Sequence, residues 1–421
     1  MKWKDWDRNL RIRLFGEGTT NFLFWSYFPF MTILFEKSFG KDKAGLLLVL
    51  SQAFSVLASL IGGYCADRFG RKKMMVISSF GQCLTFLLFA YANSPWYESP
   101  MLTFISFSLL GVWGALYWPA SHAMVADVVK EKHRASVFAV FYTSINIAVV
   151  VGPIIGSFVF YSYRFEMLLF GAVLTAVLTF VLQTYLEETV VYERTEVGTG
   201  KHWYQAVWDE LSAYRVIARD RTFLLFIIAG VLVAQTFMQL DILIAVYTSE
   251  VIDNQSLFSF GQFQLNLTGE QAFALILAEN GLLVALFTVF VTRVMSRFKE
   301  WKVFVLSSCI YAVGISLYGM TQSIWMFIIA MGLFTFAELM VVGIQESFVS
   351  KLSPANMRGQ YFSAASLRFT VGKLIAPLSL VLTNYLSYQV VFMLLGLLAI
   401  LSAGTYYYMF LKLDRMQAAG R

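Results

Sequence analysis

The side chains that could do chemistry in this sequence are few, and most stand where water is scarce. Carboxyls at Glu17, Asp241, Glu279, Glu338 and Glu346, and the bases Arg368 and Lys373, interrupt long apolar runs. An ionisable group in such a run is costly and ordinarily faces a cavity, a partner or a pathway. A desolvated carboxyl can still bind and release a proton, so protonation and cargo binding can compete for one site. Glu338, in Phe336-Ala337-Glu338-Leu339-Met340, is hard to explain by packing and reads as a substrate or proton site. Asp241 is either such a site or a solvated interfacial acid. Glu279, in Glu279-Asn280-Gly281, is either a binding group or a polar contact between helices. Glu17, flanked by Gly16 and Gly18, reads as an acid that snorkels to water or pairs with a base. His122 lies one helical turn before Asp127 and serves either an interhelical hydrogen bond or a proton relay. Glu346, Arg368 and Lys373 read as a buried charge cluster; if the two bases instead face a cavity unpaired, an anionic cargo follows.

These groups must be positioned by membrane-crossing elements. The chain has 421 residues, 58% hydrophobic and only 14% charged, whereas a soluble domain is about a quarter charged. A span takes about 20 mostly apolar residues. Twelve are expected, near 14–36, 44–67, 74–93, 100–127, 135–161, 165–187, 222–249, 270–294, 303–321, 323–349, 359–385 and 388–411. Of the 32 Lys and Arg, 26 fall on the side that holds both termini, and only Lys37, Lys41, Lys43 and Arg164 on the other. The positive-inside rule therefore puts both termini in the cytoplasm. No cleavable leader is evident, and Met1 to Arg13 reads as an interfacial segment. Cys65, Cys83 and Cys309 have neither metal nor disulfide spacing.

The long hydrophilic stretch between spans six and seven divides the chain into 1–187, a linker over 188–221, and 222–421. Within the linker, apolar residues at helical spacing from Trp203 to Ala218 predict a helix on the membrane surface. The stretch from Val251 to Gly269 reads as an external loop. Arg134 and Arg358, and likewise Pro153 and Pro377, are each 224 residues apart, as a duplicated six-helix unit would place them.

Between spans two and three stands Gly63-Tyr64-Cys65-Ala66-Asp67-Arg68-Phe69-Gly70-Arg71-Lys72. Gly63 would let two helices approach closely, and Gly70 would allow a tight turn. The run resembles the signature loop of the major facilitator superfamily at every defined place. Asp127 and Arg134 recur at the end of span four as in many members, and Gly152-Pro153-Ile154-Ile155-Gly156 resembles the core of an exporter motif in span five. Ser157 replaces that motif's final glycine, and the span-four stretch from Leu102 to Trp118 has no base.

Over essentially its full length the chain is similar to the LmrP-type multidrug/proton antiporters. Asn9-Leu10-Arg11-Ile12-Arg13-Leu14, Met238-Gln239-Leu240-Asp241 and Glu338 carry that likeness. It implies an all-α membrane protein of twelve transmembrane helices in two pseudo-symmetric six-helix bundles. It also implies that the signature loop, with Asp127 and Arg134, latches the outward-facing state. Acids at Asp67, Asp127, Asp241 and Glu338 would serve proton coupling or cationic-drug binding. The family's acid in span five has no counterpart in Val140-Phe141-Tyr142.

The expectation is a proton-driven exporter of lipophilic cationic compounds in a cell membrane, working by alternating access. It would use no cofactor beyond the proton gradient. Its partners would be a small-molecule cargo, protons and membrane lipids, with no nucleic acid, and it would act as a monomer. No nucleotide-binding loop and no catalytic triad is present, so an enzyme is not expected. Alternatives are a proton-coupled carrier of a lipid-linked sugar, amino acid, peptide or sugar, and a non-transporting sensor on a carrier fold.

Overall fold

A computed structural model describes residues 6–189, 220–260, 263–353 and 358–419. Within these, Asp67, Arg134 and Glu346 are described by their backbone alone. The surface helix expected over Trp203–Ala218, with nearly all of the linker, lies outside the described residues.

Helices dominate. In chain order they are α1 (Arg8–Phe39), α2 (Lys41–Phe69), α3 (Arg71–Tyr91), α4 (Pro100–Val128), α5 (Glu131–Ser162) and α6 (Arg164–Tyr185), then α7 (Arg221–Phe237), α8 (Leu243–Val251), α9 (Gly269–Met295), α10 (Glu300–Gly319), α11 (Ile324–Leu352), α12 (Arg358–Ile375), α13 (Leu378–Leu382) and α14 (Tyr388–Ala419). Among the described residues, ten membrane spans meet the length and hydropathy needed, one of them α12 run on into α13. The other two expected spans are α1 and the pair α7–α8. Large apolar side chains such as Phe158, Phe180, Val289 and Phe290 point outward, as lipid-facing residues do.

Contacts gather the chain into two compact units, Met1–Phe28 with Leu50–Asp209, and Pro29–Val49 with Glu210–Arg421. In the first, α3 packs on α4 and α6 around Met74, Met75, Tyr117, Met124 and Leu182. In the second, α10 packs on α11 and α14, and α7 on α12 and α14, around Phe226, Phe304, Phe348, Tyr406 and Phe410. Ion pairs Lys37–Glu270 (2.8 Å) and Lys41–Glu250 (2.9 Å) join the Pro29–Val49 segment to the rest of that unit.

Two spans expected to be continuous are broken. Span seven unwinds over Met238 to Ile242, the stretch that holds Asp241. Span eleven breaks at Ala376-Pro377. Gln239, fully buried, bridges the breaks: its Nε2 donates to the Gln235 carbonyl (2.9 Å) and the Ala376 carbonyl (3.4 Å), and its Oε1 accepts from Ser379 (2.6 Å). Backbone groups freed in a membrane interior need such partners. The matching Pro153 lies inside an unbroken α5, so the two prolines share a sequence offset but not a local structure.

The stretch expected to be a loop after span seven forms a hairpin of β3 (Gln255–Phe260) and β4 (Phe263–Leu267). Alternate residues Phe258, Phe260, Phe263 and Leu265 pair across it, the period of two that suits a strand. A two-residue ribbon, β1 (Asn93–Ser94) with β2 (Tyr97–Glu98), joins α3 to α4.

Candidate functional site

The second unit encloses a cavity of about 130 Å3 whose polar walls include Glu338, Gln345, Arg368, Tyr311 and Tyr406, with Phe237, Phe304 and Phe369 as apolar walls. Glu338 comes from the middle of α11. Its Oε2 accepts from Asn280 Nδ2 of α9 (3.1 Å), and the same nitrogen donates to Thr335 Oγ1 (3.0 Å). Residues 335 and 338 lie three apart on α11 and so share a face.

Arg368 of α12 is 2% exposed. Its guanidinium stacks over Phe226 (4.5 Å to the ring centroid) and near Phe369 (5.4 Å), and its Nε donates to the Ala365 carbonyl (2.8 Å). Such cation–π seats are strongest where the charge is desolvated. Gly230 of α7 makes room for the side chain, since a Cβ there would lie 2.1 Å from Arg368 Cδ.

Arg368 and Lys373 do not form one cluster, contrary to expectation. Five positions turn a helix by about 140°, so Arg368 lines the cavity while Lys373 is exposed and acts electrostatically on Asp241. Asp241 sits in the break of span seven, where its carbonyl accepts from Thr32 (2.8 Å). Glu279 is half-buried, and its Oε2 has no hydrogen-bond partner among the described residues.

In the first unit Glu17 is 3% exposed and pairs with Arg13, one turn earlier, at 2.9 Å. Ser121 of α4 bonds to both, Tyr117 donates to Glu17 (3.4 Å), and the Arg13 guanidinium lies 4.9 Å from the Phe141 ring centroid. Glu17 therefore does not snorkel. It belongs to a buried ion pair that ties α1 to α4 and α5, and breaking such a pair on one side costs about 3–5 kcal/mol. His122 is exposed, its ring edge-on to Trp118 at 5.4 Å.

The signature loop is equally specific in geometry. Gly70 (φ +98°) is the single residue linking α2 to α3, a conformation other side chains avoid. Arg71 Nε pairs with Asp127 Oδ2 (3.3 Å) at the end of α4, and Arg71 Nη1 donates to the Ala66 carbonyl (3.0 Å). Arg68 bonds to the Tyr64 hydroxyl. Gly63 has nothing within 4 Å of where a Cβ would stand; its neighbour Gly62 makes the close approach instead, 3.0 Å from the Ala115 carbonyl of α4. The two glycines differ by 100° around the helix, which decides which one faces α4. Gly152 packs α5 against α1, with a Cβ there 2.7 Å from Trp25 Cβ.

The family model described as Major Facilitator Superfamily matches residues 14–265 and again 257–419. The chain belongs to the major facilitator superfamily. A Na(+), Li(+), K(+)/H(+) antiporter of Planococcus maritimus is 51% identical to it over 422 residues, which cover 100% of both chains. The multidrug resistance protein MdtH of Yersinia enterocolitica is 29% identical over 145 residues, 34% of this chain and 35% of that one. Among solved structures, a POT family transporter in complex with a thioalcohol-conjugated peptide superposes with a TM-score of 0.77 at 16% identity, covering 96% of each chain. At that identity the likeness is one of fold. The protein is thus a multi-pass membrane transporter with the major facilitator fold, and not an enzyme.

Sequence reasoning missed several residues of this major facilitator chain. Asn280 and Gln239 stood beside acids it singled out and Gly230 stood apart from them, but each of the three meets a residue far away in the sequence. Glu188, directly after span six, supplies the cap that α3 lacks on its own: its Oε1 accepts from Arg71 N (3.0 Å) and its Oε2 from Lys72 N (3.1 Å), while Gly70 offers no side chain. An acid at a helix N-terminus satisfies orphan donors and opposes the helix dipole. Glu188→Ala is expected to lower stability by about 1–2 kcal/mol, read as a lower Tm in detergent; an unchanged Tm would show that the cap contributes nothing.

Proposed function

We propose that the protein exchanges protons for monovalent alkali-metal cations across a cell membrane by alternating access, with both termini in the cytoplasm. The observation that carries this reading is the 51% identity, over the whole of both chains, to a relative named as a Na(+), Li(+), K(+)/H(+) antiporter. The acids of the second unit are consistent with it. Glu338 lines a cavity, and Glu279 and Asp241 stand on neighbouring elements, so a single carboxylate can hold either a proton or a monovalent cation. Exchange follows if the empty, ionised carboxylate disfavours reorientation while either bound form permits it. Among the described residues no three His, Cys, Asp or Glu side chains converge to hold a metal ion. The protein acts as a monomer in this reading, and the signature loop with Arg71 and Asp127 serves as its conformational latch.

A second cargo, a lipophilic organic cation, is favoured by the aromatic lining of the cavity, Phe237, Phe304, Tyr311, Phe369 and Tyr406. One experiment separates the two. Everted vesicles from a host lacking its own sodium–proton exchangers are acidified, and a pH-gradient dye is followed on addition of Na+, Li+ or K+, with ethidium movement measured in parallel. Dequenching by the alkali cations, abolished when the proton gradient is collapsed, is the expected result. Ethidium movement without any response to alkali cations would replace the first cargo by the second.

A further inference from the structure

Glu279 and Glu338 lie on one seam, where α9 meets α11. Asn280 of α9 donates to Thr335 and Glu338, and one residue earlier Glu279 faces Gly332. Residues 332, 335 and 338 follow at intervals of three and so share a face of α11. Gly332 stands six residues before Glu338, about 9 Å along the axis, and Glu279 is not among the residues that line the cavity. The two acids differ in their surroundings. Glu338 accepts from Asn280, whereas the buried Oε2 of Glu279 has no hydrogen-bond partner among the described residues. A carboxylate kept from water without a partner is unfavourable unless a counterion reaches it. Gly332 leaves room for one. A Cβ there would meet within 4 Å only the Oε1 of Glu279, at 3.7 Å, and its φ is not positive, so neither packing nor backbone geometry calls for glycine. Gly343, further along α11, is the opposite case: a Cβ there would strike Thr292 of α9. Glycine inside a helix is less stable than alanine; what it gives at 332 is open space beside a carboxylate.

We propose that Glu279 and Gly332 form a seat for a monovalent alkali-metal cation on the seam between α9 and α11, and that the missing side chain at 332 lets this seat take an ion as large as K+. The seat deepens the alkali-cation exchange proposed above and rests on it. A hard cation takes oxygen ligands, and the carboxylate of Glu279 offers two, one of them committed to no other group. A methyl group at 332 would stand in ordinary van der Waals contact with Oε1. It would leave the carboxylate in place and take the space that the ion's remaining ligands need. K+ is larger than Li+ and Na+, so it loses most.

The test compares wild type, Gly332→Ala and Glu279→Gln. Binding of radioactive sodium to the purified proteins is measured at equilibrium, with Li+ and K+ as competitors, beside a thermal melt of each. Exchange driven by each cation is followed in vesicles. In Gly332→Ala the binding of K+ relative to Na+ is expected to fall by about tenfold, while the melt stays at or above wild type, since alanine is the better helix former. Glu279→Gln is expected to weaken binding of all three cations by at least about tenfold. Should Glu279→Gln fail to fold, the ratio of K+ to Na+ binding in Gly332→Ala decides alone. An unchanged ratio, or a lower melt with all three cations weakened alike, would overturn the seat, as would wild-type binding by Glu279→Gln. Wild-type protein that binds and exchanges alkali cations beside such variants leaves the exchange reading standing. Wild-type protein that neither binds nor exchanges any of the three overturns that reading, and the seat with it.

Discussion

Glu338→Gln is expected to abolish proton-coupled transport while the protein still inserts, purifies and melts close to wild type. Gln matches the shape of the side chain and can still bond to Asn280, so the packing of α9 on α11 has no reason to fail. What disappears is the charge. A charged side chain at the centre of a span costs roughly 2.5–3.5 kcal/mol; a cation that loses its countercharge on that scale loses about a hundredfold in occupancy. The same variant cannot carry a proton, so both halves of the exchange are lost together. The measurement is the pH-gradient response to alkali cations in vesicles, beside a thermal melt of the purified protein. Transport at the wild-type rate would remove Glu338 from the site and pass the role to Asp241 or Glu279.

The second large effect is expected at a residue without any charge. Gly230→Val puts branched carbon where the stem of Arg368 runs, with even the first added atom 2.1 Å from Cδ. Arg368 cannot slide aside easily, because it is 2% exposed and its guanidinium is seated on Phe226. Overpacking of this kind costs about 1–3 kcal/mol, and moving the guanidinium redraws the cavity that Glu338 shares. A lower Tm and severely reduced transport should follow together. Gly230→Ala is the sharper probe, since alanine in a helix otherwise gains about 1 kcal/mol over glycine. The conflict should make Gly230→Ala harmful in the wild-type background and neutral or stabilising once Arg368→Ala has removed the obstacle. A double-mutant cycle measures that coupling directly; additive effects would mean that Gly230 does not serve Arg368.

The helix breaks show why some of this was legible and some not. Hydropathy identified span seven because apolar transfer free energy accumulates over a run of residues, whichever way each side chain points. Hydropathy ran that span straight through Met238 to Asp241, the stretch that carried part of the family resemblance. It could not show that this stretch unwinds, because unwinding in a membrane depends on a partner for the freed backbone groups. That partner, Gln239 with Ala376 and Ser379, spans a separation of 137 residues and more. Glu17 gave a closer case. Its base lies four residues away at Arg13, a spacing visible in the sequence. Whether the pair would sit in water or in the core depended on Ser121 and Phe141, brought by two other helices.

The amino-acid sequence by itself determined the membrane class, the many apolar spans, the superfamily loop and the short list of acids inside apolar runs. Each of these follows from one-residue or neighbouring-residue energetics: the cost of taking charge out of water, and the backbone freedom of glycine at a turn. The tertiary structure alone decided which acid lines a cavity, which is neutralised, and which helices stay whole. It placed Asn280 on Glu338 across 58 residues, separated Arg368 from Lys373, and brought Glu188 to cap α3. Those outcomes depend on which faces of distant helices meet, and an apolar run that tells where a helix crosses the membrane is silent about which of its faces will find a partner.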